Sequence, residues 1–562
     1  MSFTRSLCLD IIHLRKVIAF PAQPVKRFWK SCEKRYPLSE DPMTSIYQHS
    51  LKLLDDVCDK TGLNRSGFFL GCFFLCLGAA VRTRSYLAGV SLWNDEAALA
   101  GNLLAKPMAA LFGPLDVGQI APIGFCLVEK FSILLLGNNE LSLRLIPFAA
   151  GMVALPLAFL FALRTLGPFC AVLCMAQLAV IPEAIHHANN LKPYSLDLAI
   201  AIGLMLLAWG GRSVVCSRKK LLWLGFWGSI APWFSFPSVF ILFGIGAAVM
   251  IRCTISRHWR GLLLFSAVSL AWIFSFWLQY RFLQSQTQDL YLLNFWDRYF
   301  MPFPPFVPGD LEFFSDVLIR VFKNPLWTLG ARGSALFFLM GCILLWKRNR
   351  QLLALILLPL ILNLLVSGFY KYPFGERLLM YGVLNLYIPI AVFLEWIWRH
   401  KWRFAWLKYA AILLIALNLA KPTVEAAKCL VYPIRIEEMK PVVAYLAGQH
   451  ESGDTFLVHN NAYHTFSYYQ KRFHIDPDAI RVSRALTPQT LNKISKDLSL
   501  LTGRVWLVFG HAKRLGGTDY EKAFLNEARM RGQLIDQRVH AGASTYLFRF
   551  PASETESLKR GF

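Results

Sequence analysis

Gly67-Phe68-Phe69-Leu70-Gly71-Cys72-Phe73-Phe74-Leu75-Cys76-Leu77-Gly78-Ala79-Ala80-Val81 is followed ten residues later by Ser91-Leu92-Trp93-Asn94-Asp95-Glu96-Ala97. A bilayer-crossing helix takes about 20 mostly apolar residues. Residues 67–89 supply them, so the two adjacent carboxylates of Asp95 and Glu96 fall just past the end of a membrane span. Ionisable groups at that depth are costly to hold and are candidates for function. A helix cap accounts for them equally well: Asn94 or Asp95 would cap a helix over Ala97–Leu104, with Glu96 favouring its positive end.

Working outward, apolar runs of span length recur at 146–163, 168–185, 195–210, 221–235, 237–251, 261–280, 328–346, 351–368, 378–398 and 405–420, which makes about 11 spans in all. Within the pair at 221–251, Ala231-Pro232-Trp233-Phe234-Ser235-Phe236-Pro237 reads as a tight turn or a kink. Basic clusters separate the runs: Arg212 with Arg218-Lys219-Lys220, Arg252/Arg257/Arg260, Lys347-Arg348/Arg350 and Arg399/Lys401/Arg403. Counted from a cytoplasmic N-terminus, every cluster falls on the cytoplasmic side, as the positive-inside rule requires. The intervening loops 90–145, 186–194, 281–327 and 369–377, and everything after 420, then face outward. The segment 121–136 is apolar but short and carries Glu129 and Lys130, so it is expected to lie at the membrane surface or tucked against the bundle.

The formal net charge of +24 sits in those short loops, without zinc-finger spacing or a basic stripe on a soluble domain, which argues against nucleic acid as a partner. Only 17% of residues are charged, against about 25% in a typical soluble domain. Most of the 12 cysteines lie in apolar runs or near the N-terminus and none follows Cys429, so no disulfide framework is expected in the C-terminal part. No cofactor is assigned: a divalent metal is compatible with the sequence, but no ligand motif is found. The patch Val17–Phe20 is too short for a signal peptide. Residues 1–65 read as a cytoplasmic extension.

After Leu419 the texture changes. Glu437–Ala447 and Tyr520–Arg531 read as helices; Thr455–His459, Val505–Phe509 and Ser544–Phe550 read as strands. The chain is therefore mainly α: a polytopic transmembrane helical bundle over 66–420 with a small C-terminal α/β extracytoplasmic domain over 421–562. That domain has neither GxGxxG nor a P-loop, so no nucleotide site is assigned to it.

The outward loops hold the remaining candidates. Glu183-Ala184-Ile185-His186-His187-Ala188-Asn189-Asn190-Leu191-Lys192-Pro193-Tyr194-Ser195 is rich in hydrogen-bonding groups. Adjacent His186 and His187 point different ways on a helix and make a poor metal pair, while Lys192 is a candidate phosphate contact. Tyr370-Lys371-Tyr372-Pro373-Phe374-Gly375-Glu376-Arg377 reads either as an interfacial aromatic belt with a turn or as a phosphate site using Lys371 and Arg377. Arg377 suits phosphate better, because its planar fork binds two oxygens at once. Arg298-Tyr299-Phe300-Met301-Pro302-Phe303-Pro304-Pro305, in the long loop 281–327, reads as a re-entrant or substrate-covering element.

Three runs together carry a resemblance: Ser91–Glu96, Gln119-Ile120-Ala121-Pro122-Ile123-Gly124-Phe125, and Gly137-Asn138-Asn139-Glu140-Leu141-Ser142-Leu143-Arg144-Leu145-Ile146-Pro147. They resemble the GT-C class of membrane glycosyltransferases, more narrowly bacterial members of glycosyltransferase family 39, a group that includes protein O-mannosyltransferases and aminoarabinose transferases of lipid A. Lys192–Ser195, Tyr372–Arg377, Tyr445-Leu446, Gly453-Asp454 and Tyr468-Tyr469 are similar to a bacterial branch of that group. The resemblance spans roughly residues 66–550 and leaves out the N-terminal extension.

The resemblance implies a polyprenyl-phosphate-linked sugar donor and transfer of a hexosyl or pentosyl unit outside the cytoplasm, at a bacterial inner membrane. The acceptor, whether glycan, lipid or protein, is not carried over. Asp95 matches the family's catalytic acidic position and Glu96 its neighbour. Lys192, Arg377 and Lys371 are expected at the donor phosphate, with His187, Tyr194, Arg298 and Tyr372 in the substrate loops. A non-enzymatic transporter or lipid flippase is the alternative, although the ionisable candidates lie at span ends rather than near the midplane. A structural protein whose C-terminal domain binds a partner is a third reading.

Overall fold

A computed structural model describes residues 56, 58, 59 and 61–551, apart from 212–213, 215–216, 284–289, 305–306, 329, 401–404, 484–493, 496–497, 512–513 and 516–517. The expected cytoplasmic extension lies almost wholly outside the described residues. The chain divides into a unit ending at Phe68 and a second from Phe69 to Phe562, which holds everything below.

A helix occupies each of the eleven expected span positions. They are α1 (Arg65–Leu87), α4 (Leu145–Thr165), α5 (Pro168–Val180) with α6 (Pro182–His187), α7 (Tyr194–Ala208), α8 (Arg218–Phe234), α9 (Ser238–Ile255), α10 (Trp259–Leu283), α13 (Ala331–Arg348), α14 (Arg350–Gly368), α15 (Val383–Arg399) and α16 (Ala405–Val431). Between them lie α2 (Asn94–Ala105), α3 (Ile123–Leu136), α11 (Leu290–Trp296) and α12 (Asp310–Lys323). Among the described residues six segments are long and apolar enough to cross a membrane on length and composition alone: Arg65–Leu87, Ser142–Thr165, Ser238–Ile255, Trp259–Phe282, Arg350–Gly368 and Glu376–Arg399. Large apolar side chains such as Phe73, Leu263, Leu270 and Phe274 stand exposed on such helices, as they would against lipid.

The expected single span at 168–185 is broken. Pro182 pushes Ile181 out of the helical region, to φ −61°, ψ 119°, so α5 ends at Val180. The end of a helix leaves carbonyls without partners. Arg82, buried in α1, supplies them: its guanidinium donates to the Leu178 and Ala179 carbonyls at 2.9 and 3.0 Å and to Gly78 in its own helix. At 231–237 the chain turns: α8 ends at Phe234 and α9 starts at Ser238. Segment 121–136 folds as the 14-residue α3, about 21 Å long at 1.5 Å per residue, short of a bilayer core of about 30 Å. Tight helix packing depends on small residues. At Gly341 in α13 a Cβ would sit 1.8 Å from the Pro389 carbonyl oxygen of α15.

α16 runs past 420 to Val431, and the C-terminal α/β part follows: α17 (Met439–Gln449), α18 (Tyr463–Phe473), α19 (Tyr520–Arg531) and strands β1 (Thr455–His459), β2 (Ile480–Ser483), β3 (Gly503–Gly510), β4 (Gln533–His540) and β5 (Ala543–Phe550). The sheet order is β2-β1-β3-β5-β4. β1 pairs in parallel with β2 and β3; β5 runs antiparallel between β3 and β4. β2, β4 and α18 are absent from the sequence reading. The exposed β4 alternates too weakly to be recognised, with half-buried and exposed residues only.

One buried cluster joins the two ends of the chain. Leu92, Leu99 and Leu103, between α1 and α3, share it with Met439, Val443, Phe466 and Tyr469. The expected α/β domain is thus packed on the segment that carries Asp95 and Glu96.

Candidate active site

α2 begins at Asn94, three residues before the expected helix. Asp95 and Glu96 therefore sit inside its first turn rather than at its cap, and the two side chains leave the helix in different directions. Their surroundings differ accordingly.

Glu96 points inward, its side chain 1% exposed. Arg144 grips it as a fork, Nε to Oε1 at 2.8 Å and Nη2 to Oε2 at 2.5 Å. The Leu191 N–H donates to Oε1 at 2.6 Å and the Trp93 N–H to Oε2 at 3.2 Å. The same guanidinium donates to the Val90 and Ser91 carbonyls. This knot ties the end of α1, the loop before α7 and the start of α4 together.

Asp95 points outward, with 29% of its side chain exposed. Its Oδ2 lies 3.4 Å from Arg377 Nη2 and 4.0 Å from Lys192 Nζ. Both contacts are loose. Lys192 is held from the other side by Gln119 Oε1 at 2.8 Å, and burial pulls its ammonium below the ordinary lysine value against the opposing charge of Asp95. The Arg377 guanidinium lies near two indole rings, 5.2 Å from the centroid of Trp296 and 5.8 Å from that of Trp93, in reach of cation–π attraction. Trp93 Nε1, Asn94 Oδ1 and Arg377 Nε are buried without a hydrogen-bond partner among the described residues. Four connecting segments thus bring one carboxylate, two cations and two indoles to one place.

The other expected residues surround this centre at different removes. Arg298 is mostly exposed; it stacks on Tyr299 and pairs at 3.5 Å with Glu376, next to Arg377. His187 is buried, its ring edge-on to Tyr194 with centroids 4.8 Å apart. Its neighbour His186 takes a hydrogen bond with Asn190 at 3.1 Å, and burial pulls it to about 4, so it is neutral at ordinary pH. Tyr372 packs on Phe240 and donates weakly to the Leu378 carbonyl. Lys371 is exposed and makes no ion pair among the described residues. Among the described residues no group of three or more His, Cys, Asp or Glu side chains is arranged to hold a metal ion.

Sequence reasoning missed the supporting cast. Arg144, Gln119 and Trp93 stand inside the runs that carried the resemblance but had no role assigned. Trp296 and Glu437 gave no signal, because their importance comes from where the chain brings them.

No family model matches the sequence, and no curated protein does. Among solved structures, the chain is similar to ArnT from Cupriavidus metallidurans in its apo state, at 12% identity and TM-score 0.47, over 85% of this chain and 97% of that one. It is similar to the same protein bound to undecaprenyl phosphate, at 12% identity and TM-score 0.48, over 86% and 98%. The oligosaccharyltransferase AglB from Archaeoglobus fulgidus, in complex with an inhibitory peptide and a dolichol-phosphate, matches at 10% identity and TM-score 0.44, over 86% and 74%.

Proposed function

We propose that this chain transfers a sugar from a polyprenyl-phosphate-linked donor to an acceptor hydroxyl at the extracytoplasmic face of a membrane. The observation that carries the reading is the Asp95 carboxylate flanked by Lys192 and Arg377 at the end of the first span. An acceptor oxygen forms a bond to the anomeric carbon, the bond from that carbon to the phosphate oxygen breaks, and the electron pair leaves with the phosphate. The acceptor proton passes to Asp95, acting as base. Lys192 and Arg377 stabilise the departing phosphate. The loose contacts of both cations with Asp95 allow them to turn to a phosphate without breaking a strong pair.

Glu96 serves this scheme by holding the site together, since both its oxygens are taken by Arg144 and backbone N–H groups. Trp93 and Trp296 offer flat apolar faces of the kind sugars stack on. A lipid-linked donor also needs a place for its hydrocarbon. An apolar groove of about 590 Å³ runs between α8 and α10, lined by Leu222, Phe226, Trp233, Leu264 and Val268. It ends at Trp233, whose carbonyl lies against Gly124 of α3, five residues beyond the Gln119 that holds Lys192.

The reading requires residues 421–562 outside the cytoplasm and residues 1–65 inside, which reporter fusions on either side of the bundle measure. The activity test uses the full chain in lipid nanodiscs, a panel of undecaprenyl-phosphate-linked hexoses and pentoses, and a cell-envelope extract as acceptor. Release of undecaprenyl phosphate with labelled product is expected for one donor. Transbilayer movement of the lipid with no transfer from any donor would favour the flippase instead.

A further inference from the structure

Four successive backbone N–H groups lead into Asp95, and side chains satisfy all four. Ser91 donates to Glu438 Oε1 at 3.4 Å, Leu92 to the Tyr469 hydroxyl at 2.8 Å, Trp93 to Glu96 Oε2 at 3.2 Å and Asn94 to Glu437 Oε2 at 3.1 Å. Three of the four acceptors come from the C-terminal domain, more than 340 residues away for the two glutamates. Glu437 is 1% exposed, and its other oxygen takes the Thr465 hydroxyl at 2.5 Å. His511 Nδ1 stands 4.0 Å from it, and the His511 ring lies 6.0 Å from that of Trp93.

The domain is shaped to bring Glu437 to this point. A Cβ on Gly510, at the end of β3, would lie 2.7 Å from Glu437 Oε1. A Cβ on Gly542, at φ 67°, would lie 2.0 Å from the Ile436 carbonyl oxygen. The Glu438 N–H donates to the Ala541 carbonyl at 2.8 Å. Residues 436–438 are thus clamped to the sheet on both sides, and the sheet in turn sets where the Glu437 carboxyl meets the first turn of α2. An acidic group there also faces the positive end of the helix.

We propose that Glu437 is a positioning residue: carried in by the C-terminal domain, its carboxyl fixes the Asn94 N–H and so holds Asp95 between Lys192 and Arg377. This rests on the functional reading above, and it gives the C-terminal domain a part in the reaction without giving it a catalytic group.

The test uses the full chain in nanodiscs and two readouts. Amide exchange over residues 91–97 reports placement whatever the protein does. Glu437→Ala is expected to expose the Asn94 amide, whereas Glu437→Gln, which keeps an acceptor oxygen, leaves it protected. With the donor that supports transfer by wild-type protein, Glu437→Ala is expected to lower kcat by roughly ten- to a hundredfold, as misplacement of a reacting group by a fraction of an ångström does, with donor KM little changed. Glu437→Gln recovers most of the rate. Tyr469→Phe, which removes only the hydroxyl at Leu92, should shift both readouts the same way but less, and serves if Glu437→Ala fails to fold. Unchanged exchange in Glu437→Ala overturns the proposal, as does a Glu437→Gln variant as slow as Glu437→Ala. A wild-type protein inactive with every donor removes the functional reading, while the exchange result still judges the placement.

Discussion

Asp95 and Glu96 are neighbours in sequence and opposites in surroundings. Glu96 is enclosed, with four hydrogen bonds from Arg144, Leu191 and Trp93. Asp95 is partly open, with two cations at 3.4 and 4.0 Å. A carboxylate whose acceptor sites are filled by fixed donors has little left to offer a substrate. One held loosely between cations can give them up to a phosphate and take a proton itself. In the proposed function, accordingly, Glu96 holds the place together and Asp95 acts in it.

The comparison is broken most directly at Asp95. Asn keeps the shape but cannot take a proton at neutral pH. Asp95→Asn is expected to reduce transfer by roughly 10²–10⁴-fold, the range of a lost general base, with an unfolding temperature near wild type. Wild-type turnover in this variant would end the argument for an enzyme at this site. Glu96→Gln attacks the other half. It leaves the Arg144 guanidinium buried without its counter-charge, and breaking such a pair costs about 3–5 kcal/mol. The expected result is a lower unfolding temperature and lost folded yield, with residual activity in proportion to the folded fraction. A stable but inactive Glu96→Gln protein would move the chemistry to Glu96.

Arg377→Lys sharpens the contrast between place and reaction. The charge remains, but the fork and the flat contact with Trp296 and Trp93 are lost. Donor KM should rise by roughly tenfold, the equivalent of one charge-assisted hydrogen bond, with a smaller change in kcat.

Glu437 adds a third case, a buried carboxyl without an arginine. Burial pushes it up to about 7 from an ordinary value of 4.5, against the lowering by hydrogen bonds from the Thr465 hydroxyl and the Asn94 N–H and with a lesser push from the charge of Glu96. A carboxyl raised on folding binds a proton more tightly in the folded state. Its contribution to stability is complete below pH 4.5 and is lost as pH rises through about 7. The unfolding temperature should therefore fall as the buffer moves from pH 5 to pH 8, and Glu437→Gln should flatten that slope. An equal slope in the variant would assign the effect to another group.

Much of this was legible in the sequence and some was not, for physical reasons. Long apolar runs favour helices almost by composition, so helices fell close to the expected positions, six of them long and apolar enough to cross a membrane among the described residues. Proline at 182 was visible, but its effect on a run read as one span depends on Arg82 being there to take the freed carbonyls. The expected topology put Asp95, Lys192 and Arg377 on one face, and in the fold the three side chains meet. The different duties of Asp95 and Glu96 could not follow, because nothing local says that Arg144, 48 residues on, will fold under one and not the other. The tie from Glu437 to Asn94, spanning 343 residues, had still less local trace.

The smallest expected effect lies at Lys371, six residues before Arg377 on the same loop. The two cations read alike in sequence, both at a membrane surface and both suited to phosphate. In the fold Arg377 turns in beside Asp95, whereas Lys371 stays exposed and unpaired among the described residues. An exposed ammonium acts on a charged donor mainly through solvent, where salt screens it beyond roughly 8 Å, and exposed pairs are worth at most about 1 kcal/mol. Lys371→Ala should therefore change donor KM by less than about fivefold, the factor that such an energy allows, and the difference should shrink as salt is raised. Arg377→Lys, acting through a partly buried fork, should keep its effect at high salt. A Lys371→Ala defect that equals that of Arg377→Lys and resists salt would place the donor phosphate on the outer side of the loop, and Arg377 would then be a partner of Asp95 alone.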